Sequence, residues 1–287
     1  MNGLLKKYYE LTKPGIIYGN LLTAGAGFLF GSKWHVNFWH FISLLIGMSL
    51  VIGSACVFNN YIDREIDNKM SRTKKRALVT KDIAAKNAIV YGTVLGLIGL
   101  IILIFGTNLI VLVVGAVAFF DYVVLYGYYK RRSIYGTLVG SISGASPILA
   151  GYTAATDRLD REALILFLIM IFWQMPHFYA IAMSRFEDYK AAGLPVLPVR
   201  QGMKITKKHI FVYIIAFILA IVSLKLYGGA SDSFLAVMLV LSLVWLFKSY
   251  KGFNVANDQK WARNMFLFSL IVILGLSIML AFDPLLP

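Results

Sequence analysis

Three oxygen-bearing side chains recur at four-residue intervals in one charged segment of the chain. If this segment is helical, Asn59, Asp63 and Asp67 lie one above another on the same face. Two stacked carboxylates repel each other unless a cation joins them, and Mg²⁺ prefers hard oxygen ligands that it shares with a substrate phosphate. The spacing therefore favours a magnesium site, whereas a solvated acidic helix end is the alternative interpretation.

Cations stand close to this acidic face in the sequence. Five of them fall in residues 69–76, where Arg72 and Arg76 offer planar forks of donors that suit phosphate oxygens. Tyr126 and Lys130, one helical turn apart, end another apolar stretch. Both groups are also typical of a positively charged membrane boundary that contacts anionic lipid. The neighbouring carboxylates favour a phosphate clamp.

A third polar group interrupts an apolar stretch further along the chain. Trp173, Gln174, Pro176 and His177 are costly to bury in a membrane helix, and such groups are typical of functional sites. His177 has three open roles: a ligand of a metal or haem iron, proton transfer, or a packing hydrogen bond. Asp121 lies deep in another apolar stretch, and we expect it to line a polar cavity.

The composition places these groups in a membrane. Of the 287 residues, 59% are hydrophobic and the mean hydropathy is +0.73, which excludes a disordered chain. A spanning helix needs about 20 mostly apolar residues. The short connections leave no room for a second domain, so we predict a single domain over residues 1–287. The predicted fold is an all-α polytopic membrane protein with about nine transmembrane helices, at residues 15–32, 38–58, 84–105, 109–128, 134–153, 162–183, 208–227, 232–250 and 264–282.

The net charge of +14 is explained by topology, without any nucleic acid as partner. With nine spans, 24 of the 28 Lys and Arg residues fall on the side of the N-terminus. Cytoplasmic loops are enriched in these residues, so we predict a cytoplasmic N-terminus and a C-terminus on the opposite side. Two long segments, residues 59–83 and 184–207, then form cytoplasmic cap loops. The single cysteine, Cys56, excludes an internal disulfide.

Together these elements resemble the UbiA-type intramembrane prenyltransferase superfamily, and within it the haem O synthases. The first acidic signature of the superfamily, Asn-Asp-x-x-Asp-x-x-x-Asp, is matched by Asn59, Asp63 and Asp67, with Asn60 at its second position. The similarity runs through nearly the whole chain. Its further elements are Thr12 to Gly15, the Met70, Arg72, Thr73 and Arg76 set, the Tyr126 and Lys130 pair, Gly136 to Pro147, Trp173 to His177, and Asp188 to Pro198.

The second acidic signature, Asp-x-x-x-Asp, is matched only in part. Asp188 occupies its first position, but Ala192 stands at its last. A second metal ion would therefore have fewer carboxylate ligands here than in relatives with both.

The resemblance implies a helical bundle around a central cavity that opens toward the bilayer. It also implies transfer of a farnesyl group from farnesyl diphosphate to the substrate haem b, with addition of water and with Mg²⁺ as cofactor, to give haem O. The implied metal ligands are Asn59, Asp63, Asp67 and Asp188. The implied diphosphate ligands are Arg72, Arg76, Tyr126, Lys130, Arg131 and Arg185. The resemblance assigns catalysis to Asp63, Asp67, Lys130 and Arg185, and haem binding to Trp173 and His177.

The resemblance further implies a bacterial plasma (inner) membrane protein that hands haem O to a haem-copper oxidase or a haem A synthase. Three other functions stay open at this point. A related prenyltransferase with an aromatic or quinone-precursor acceptor would use the same diphosphate site. A secondary transporter also has polar groups in broken helices, but its site favours the bilayer midplane. A scaffold subunit of a respiratory complex would not need Asp63 and Asp67.

Overall fold

The structure is a computed structural model that describes residues 3–286, and every regular element in that range is helical. This confirms the predicted all-α fold. Short turns of 3-10 helix, Gly252–Asn254 and Asp283–Leu285, follow two of the helices. The helices are α1 (Gly3–Leu11), α2 (Pro14–Ser32), α3 (Phe38–Asp67), α4 (Ala85–Gly106), α5 (Leu109–Phe120), α6 (Gly127–Tyr129), α7 (Gly136–Thr156), α8 (Arg161–Ser184), α9 (Phe186–Ala191), α10 (Leu197–Tyr227), α11 (Asp232–Lys251) and α12 (Asp258–Phe282).

Each predicted span coincides with one long helical stretch of the described chain. Within residues 3–286, seven of these stretches are long and apolar enough to cross a membrane by length and composition. The chain is therefore an integral membrane protein. The two stretches that fall short are α2 and α7, whose sequences are diluted by Gly, Ser, Thr and Asn. The predicted count of nine is thus approximate.

The same small residues let α2 and α7 pack closely against each other. A methyl group added at Gly151 of α7 would lie 1.9 Å from the carbonyl oxygen of Ala24. One added at Gly27 of α2 would lie 2.4 Å from the carbonyl oxygen of Ile148. Helices in a membrane often associate through such small-residue contacts, because they bring the backbones close together.

The two predicted cap loops are partly helical. Helix α3 continues past the predicted span to Asp67, so the whole acidic face stands on one rigid helix. In the other cap, α9 and the first turns of α10 occupy most of residues 184–207, with Pro198 in the first turn of α10. Gly202 adopts φ 83°, which bends α10. The bend lies before residue 208, where the predicted span begins.

A π-helical turn, Asp121–Tyr126, joins α5 to α6. Asp121 begins this turn and is buried, and its Oδ2 accepts a hydrogen bond of 3.1 Å from the backbone N–H of Ser143 on α7. Such turns insert one extra residue into a helix and are frequent at functional sites. Here Tyr122 and Tyr126 stack with ring centroids 5.6 Å apart.

The largest apolar core joins α8 to α10, α11 and α12. Its biggest fully buried side chains include Trp245, Phe217 and Phe234. The α2, α3 and α5 helices share a smaller core around Phe28 and Leu44. Between these two cores the bundle stays open, and the functional groups face that space.

Candidate active site

A cavity of about 800 Å³ lies inside the bundle, with walls from α2, α3, α5, α7, α8 and α12. At one end of it are the side chains of the acidic face and several cations, which we call the ionic end. Elsewhere its wall is apolar and aromatic and includes Trp173 and His177, which we call the aromatic end. Asp121 is not among the residues that line the cavity, contrary to expectation, because its side chain is bonded to the backbone of α7.

The acidic face of α3 forms one side of the ionic end. Asn59, Asp63 and Asp67 all line the cavity and are almost fully buried, with exposed fractions of 4%, 7% and 5%. The helical spacing thus places the three side chains together, as the sequence predicts. Buried carboxylates must be paired or coordinated, because an isolated charge is costly away from water.

Each oxygen-bearing group of the face has a cationic partner. Asp63 forms an ion pair with Lys130, and its Oδ1 accepts a 3.0 Å bond from Nη2 of Arg131. Asp67 Oδ2 lies 2.7 Å from Nη1 of Arg76. Arg131 also donates to the carbonyl oxygen of Ile62 at 2.7 Å and is not itself part of the cavity wall.

Lys13 is a further member of the ionic end that the sequence pattern did not identify. Its Nζ donates to Oδ1 of Asn59 at 2.7 Å, across 46 positions of sequence. The left-handed backbone of Lys13, φ 53°, turns the chain between α1 and Pro14 and directs the side chain inward. Burial lowers the pKa of Lys13 to about 8. The resemblance element Thr12 to Gly15 contains this lysine but did not assign it a role.

Cations outnumber carboxylates at the ionic end. Lys13, Lys130, Arg76 and Arg131 surround two carboxylates, and Arg72 lines the same cavity. Burial also lowers the pKa of Lys130, and the negative charge of Asp63 opposes this shift. The surplus positive charge suits a multiply charged anion such as a diphosphate.

Two tyrosines complete the ionic end. Tyr126 lines the cavity, and Nζ of Lys130 lies 5.0 Å from its ring centroid. Tyr189, which falls in the resemblance element Asp188 to Pro198 but was assigned no role, also lines the cavity, and burial raises its pKa. Both phenols bring hydroxyl groups to a region that otherwise holds charges.

The aromatic end is organised by α8 and α12. Trp173 and His177, one turn apart on α8, stack with ring centroids 4.7 Å apart at an angle of 25°. Ser269 of α12 is hydrogen-bonded to both side chains. Its carbonyl oxygen accepts from Nε1 of Trp173 at 2.9 Å, and its Oγ lies 2.7 Å from Nδ1 of His177. The sequence singled out the two α8 residues but not Ser269, which is 92 positions away.

Two of the predicted site residues lie apart from the cavity. Arg185 and Asp188 line a separate shallow depression at the start of α9. Asp188 Oδ1 accepts hydrogen bonds from the backbone N–H of Ser71 at 3.2 Å and from its hydroxyl at 2.7 Å. Their assignment to metal and diphosphate stays a prediction.

The donor set of the ionic end fits a magnesium ion that is shared with a substrate. Within residues 3–286, no three His, Cys, Asp or Glu side chains are grouped as a self-sufficient metal site. Two carboxylates and one amide oxygen line the cavity instead. Mg²⁺ keeps several waters and commonly binds one or two carboxylates together with substrate phosphates, so this incomplete set is a suitable one.

Comparison with known proteins places the chain among prenyltransferases. Residues 20–271 match the model of the UbiA prenyltransferase family. A protein of Yersinia pseudotuberculosis serotype O:1b (strain IP 31758), named protoheme IX farnesyltransferase, is 48% identical over 281 residues, which cover 98% of this chain and 95% of that protein.

Solved structures with the same fold agree with this match. A structure described as that of digeranylgeranylglyceryl phosphate synthase in membranes superposes with a TM-score of 0.81 at 18% identity, covering 98% of both chains. A UbiA homolog from Archaeoglobus fulgidus bound to GPP and Mg²⁺ superposes with a TM-score of 0.70 at 16% identity, covering 96% of this chain and 99% of that one. With the family match and the relative at 48% identity, the chain belongs to the UbiA prenyltransferase family.

Proposed function

We propose that the chain transfers a farnesyl group from farnesyl diphosphate to a vinyl group of haem b, with addition of water, to give haem O and diphosphate. The observation that carries this proposal is the single cavity in which the ionic end and the aromatic end meet. The diphosphate of a prenyl donor needs a charged site such as the ionic end, and a flat, apolar acceptor needs an aromatic surface next to it. The 48% identity to a relative named protoheme IX farnesyltransferase supports haem as the acceptor.

The ionic end would hold the diphosphate. Asn59, Asp63 and Asp67 provide the oxygen ligands for Mg²⁺, in line with the Mg²⁺ and GPP bound to the Archaeoglobus homolog. When bound, the metal ion would neutralise charge on the diphosphate oxygens. Lys130 and Arg76, with Lys13, Arg72 and Tyr126, would donate to the remaining oxygens, and Arg131 would act through its ion pair with Asp63. For Arg185 and Asp188, the same role requires residues 184–207 to approach the cavity.

The reaction separates charge along the cavity. The bond between C1 of the farnesyl group and the diphosphate oxygen breaks, and its electron pair leaves with the diphosphate. The fixed cations of the ionic end stabilise that developing negative charge. The π electrons of a haem vinyl group attack C1, the resulting cation adds one water molecule, and the water loses a proton. The apolar wall excludes further water from the cationic carbon.

The aromatic end would hold the porphyrin. Trp173 offers an indole face, and His177 offers an imidazole that is half-buried and lines the same cavity. Tyr122, which stacks on Tyr126, adds a further ring to the cavity wall. Aromatic faces also stabilise a nearby carbocation through their negative ring centres. We therefore assign Trp173 and His177 to haem binding.

The membrane setting of the reaction is also part of this proposal. We propose a single domain in a bacterial inner membrane, with the ionic end on the cytoplasmic side, where a soluble prenyl diphosphate can enter. The charge bias of the sequence supports a cytoplasmic N-terminus. The apolar product would leave through the bilayer, and a haem A synthase or haem-copper oxidase would receive it.

A conversion assay tests this function. The purified chain in lipid nanodiscs is incubated with haem b and farnesyl diphosphate, with Mg²⁺ or with a chelator, and haems are extracted and identified by mass. We expect farnesylated, hydrated haem only with Mg²⁺. An otherwise active preparation that leaves haem b unchanged, but prenylates an aromatic acid or quinone precursor offered in parallel, would contradict the proposal and establish the alternative acceptor.

A further inference from the structure

The hydrogen bonds of Ser269 decide which nitrogen of His177 carries a proton. The hydroxyl of Ser269 has one hydrogen, and its Oγ lies 2.6 Å from the carbonyl oxygen of Phe266, one turn earlier on α12. A carbonyl oxygen only accepts, so the hydroxyl hydrogen belongs to this bond. The same Oγ is 2.7 Å from Nδ1 of His177, and only its acceptor capacity is left for that contact. Nδ1 therefore carries the imidazole proton.

The other ring nitrogen is then unprotonated in neutral His177. A neutral imidazole has one N–H and one lone pair, and the proton on Nδ1 leaves the lone pair on Nε2. Within residues 3–286, the bond to Ser269 is the one hydrogen bond of the His177 side chain. His177 is half-buried and lines the cavity, so this lone pair is available to a molecule that enters the cavity.

The surroundings hold the ring in one orientation. His177 stacks on Trp173 on one side, and the ring of Phe266 lies 5.1 Å from it. Trp173 is itself fixed by its bond to the carbonyl oxygen of Ser269. Ser269 is fully buried, so it is a rigid anchor for both residues of α8. An imidazole with one nitrogen bound to a fixed acceptor is the usual form of a histidine that ligates a metal.

We propose that Ser269 is a positioning residue that holds His177 as the Nδ1–H tautomer, so that Nε2 serves as an axial ligand to the iron of haem in the cavity. The first half of this inference depends on the hydrogen bonds alone. The second half rests on the proposed function, since it takes haem as the molecule that enters the cavity. Iron ligation would fix the porphyrin relative to the farnesyl donor at the ionic end.

Nitrogen-15 NMR of the haem-free chain tests the tautomer directly. Protein labelled at its histidines is reconstituted in lipid, and the His177→Gln variant identifies the His177 signals among the four histidines. We expect a protonated Nδ1 and an unprotonated Nε2 at neutral pH. The opposite tautomer, or an even mixture of the two, would overturn the proposal. Ser269→Ala should lose the preference, and Ser269→Thr should keep it because the hydroxyl is retained.

Haem titration followed by absorbance tests the ligand. In Ser269→Ala we expect haem affinity to fall about 10- to 100-fold, which is typical when the partner of a ligating histidine is removed. Ser269→Thr should restore affinity, and His177→Gln should lose the absorbance spectrum of a histidine-ligated iron. Ser277→Ala is the matched control, because Ser277 is also buried on α12 and donates to the carbonyl one turn earlier, 2.8 Å away, without a histidine partner.

The outcomes separate this inference from the proposed function. Unchanged haem affinity and spectrum in Ser269→Ala would overturn the positioning role. Wild-type protein with the expected tautomer but no histidine-ligated haem would overturn the ligand role. A chain that binds haem through His177 but forms no farnesylated haem contradicts the proposed function and leaves this inference standing.

Discussion

The acidic segment at the end of α3 and the one after α8 look alike in the sequence but differ in the structure. The first continues α3 itself, so Asp63 and Asp67 are buried in the cavity wall and each is paired with cations. The second is a separate short helix, and Asp188 points to Ser71 outside the cavity. Acidic residues beside cations thus occur at both segments, whereas only the first segment places its carboxylates, buried and paired, in the cavity wall.

This difference predicts unequal energetic roles. A buried carboxylate interacts strongly with its partners, because water screens the charges less. An exposed pair contributes little, since water and salt screen it. Substitutions in the first segment should therefore affect catalysis far more than those in the second.

Asp63→Asn should have the largest effect. The substitution keeps the shape of the side chain but removes the charge that pairs with Lys130 and Arg131 and that would help hold Mg²⁺. We expect diphosphate release from farnesyl diphosphate to slow on the order of 10²- to 10³-fold, which is typical when a preorganised electrostatic contact is lost. The measurement is the initial rate of diphosphate release, with size-exclusion chromatography to check folding.

The matched control is Asp283→Asn. Asp283 is also buried, but it accepts from the backbone N–H and hydroxyl of Ser231 at the start of α11 and does not line the cavity. This variant should lower stability and leave the rate of diphosphate release unchanged. Equal losses of rate in the two variants would show that Asp63 acts through folding alone.

Because of Lys13, kcat/KM for farnesyl diphosphate should depend on pH. Its pKa is lowered to about 8 because of burial, so the side chain is cationic below that pH and becomes neutral as the pH rises through it. A hydrogen bond from a charged donor contributes about 1.5–3 kcal/mol. We therefore expect kcat/KM for farnesyl diphosphate to fall about twofold between pH 7 and 8 and about 10-fold by pH 9, measured by the rate at limiting donor.

Lys13→Arg provides the control for this pH effect. A guanidinium group stays charged throughout the range, so the decline near pH 8 should disappear even if the variant is slower overall. Lys13→Met should be slow at every pH. A decline that persists unchanged in both variants would assign it to another group of the site.

The sequence predicted the elements of the molecule better than their contacts. Spans and the one-sided acidic face follow from composition and from the 3.6-residue period, which are local properties. Asn59, Asp63 and Asp67 could be placed together because they belong to one helix. Trp173 and His177 could be paired for the same reason.

Composition and helical periodicity could not predict the contacts between helices. Lys13 meets Asn59, and Ser269 meets His177, because packing sets the rotation and offset of whole helices. The sequence does not show whether a serine in an apolar span bonds to another helix or only to its own. Ser269 contacts His177 on α8, whereas Ser277 donates to a carbonyl oxygen of α12. The contact between Asp121, at the start of the π-helical turn, and the backbone of α7 likewise joins two helices.

Asp188→Asn should have the smallest effect, and it is the sharpest test of the difference between the two segments. Asp188 holds Ser71, whose neighbours Met70 and Arg72 line the cavity, so it acts through the loop after α3. We expect less than about a fivefold loss in diphosphate release, the range of an exposed charged contact. Ser71→Ala should give a similar loss, and the double variant should be no slower than either single one, because both remove one contact. A loss as large as that of Asp63→Asn, additive with Ser71→Ala, would instead show that the α9 segment closes over the substrate and that Asp188 becomes a metal ligand.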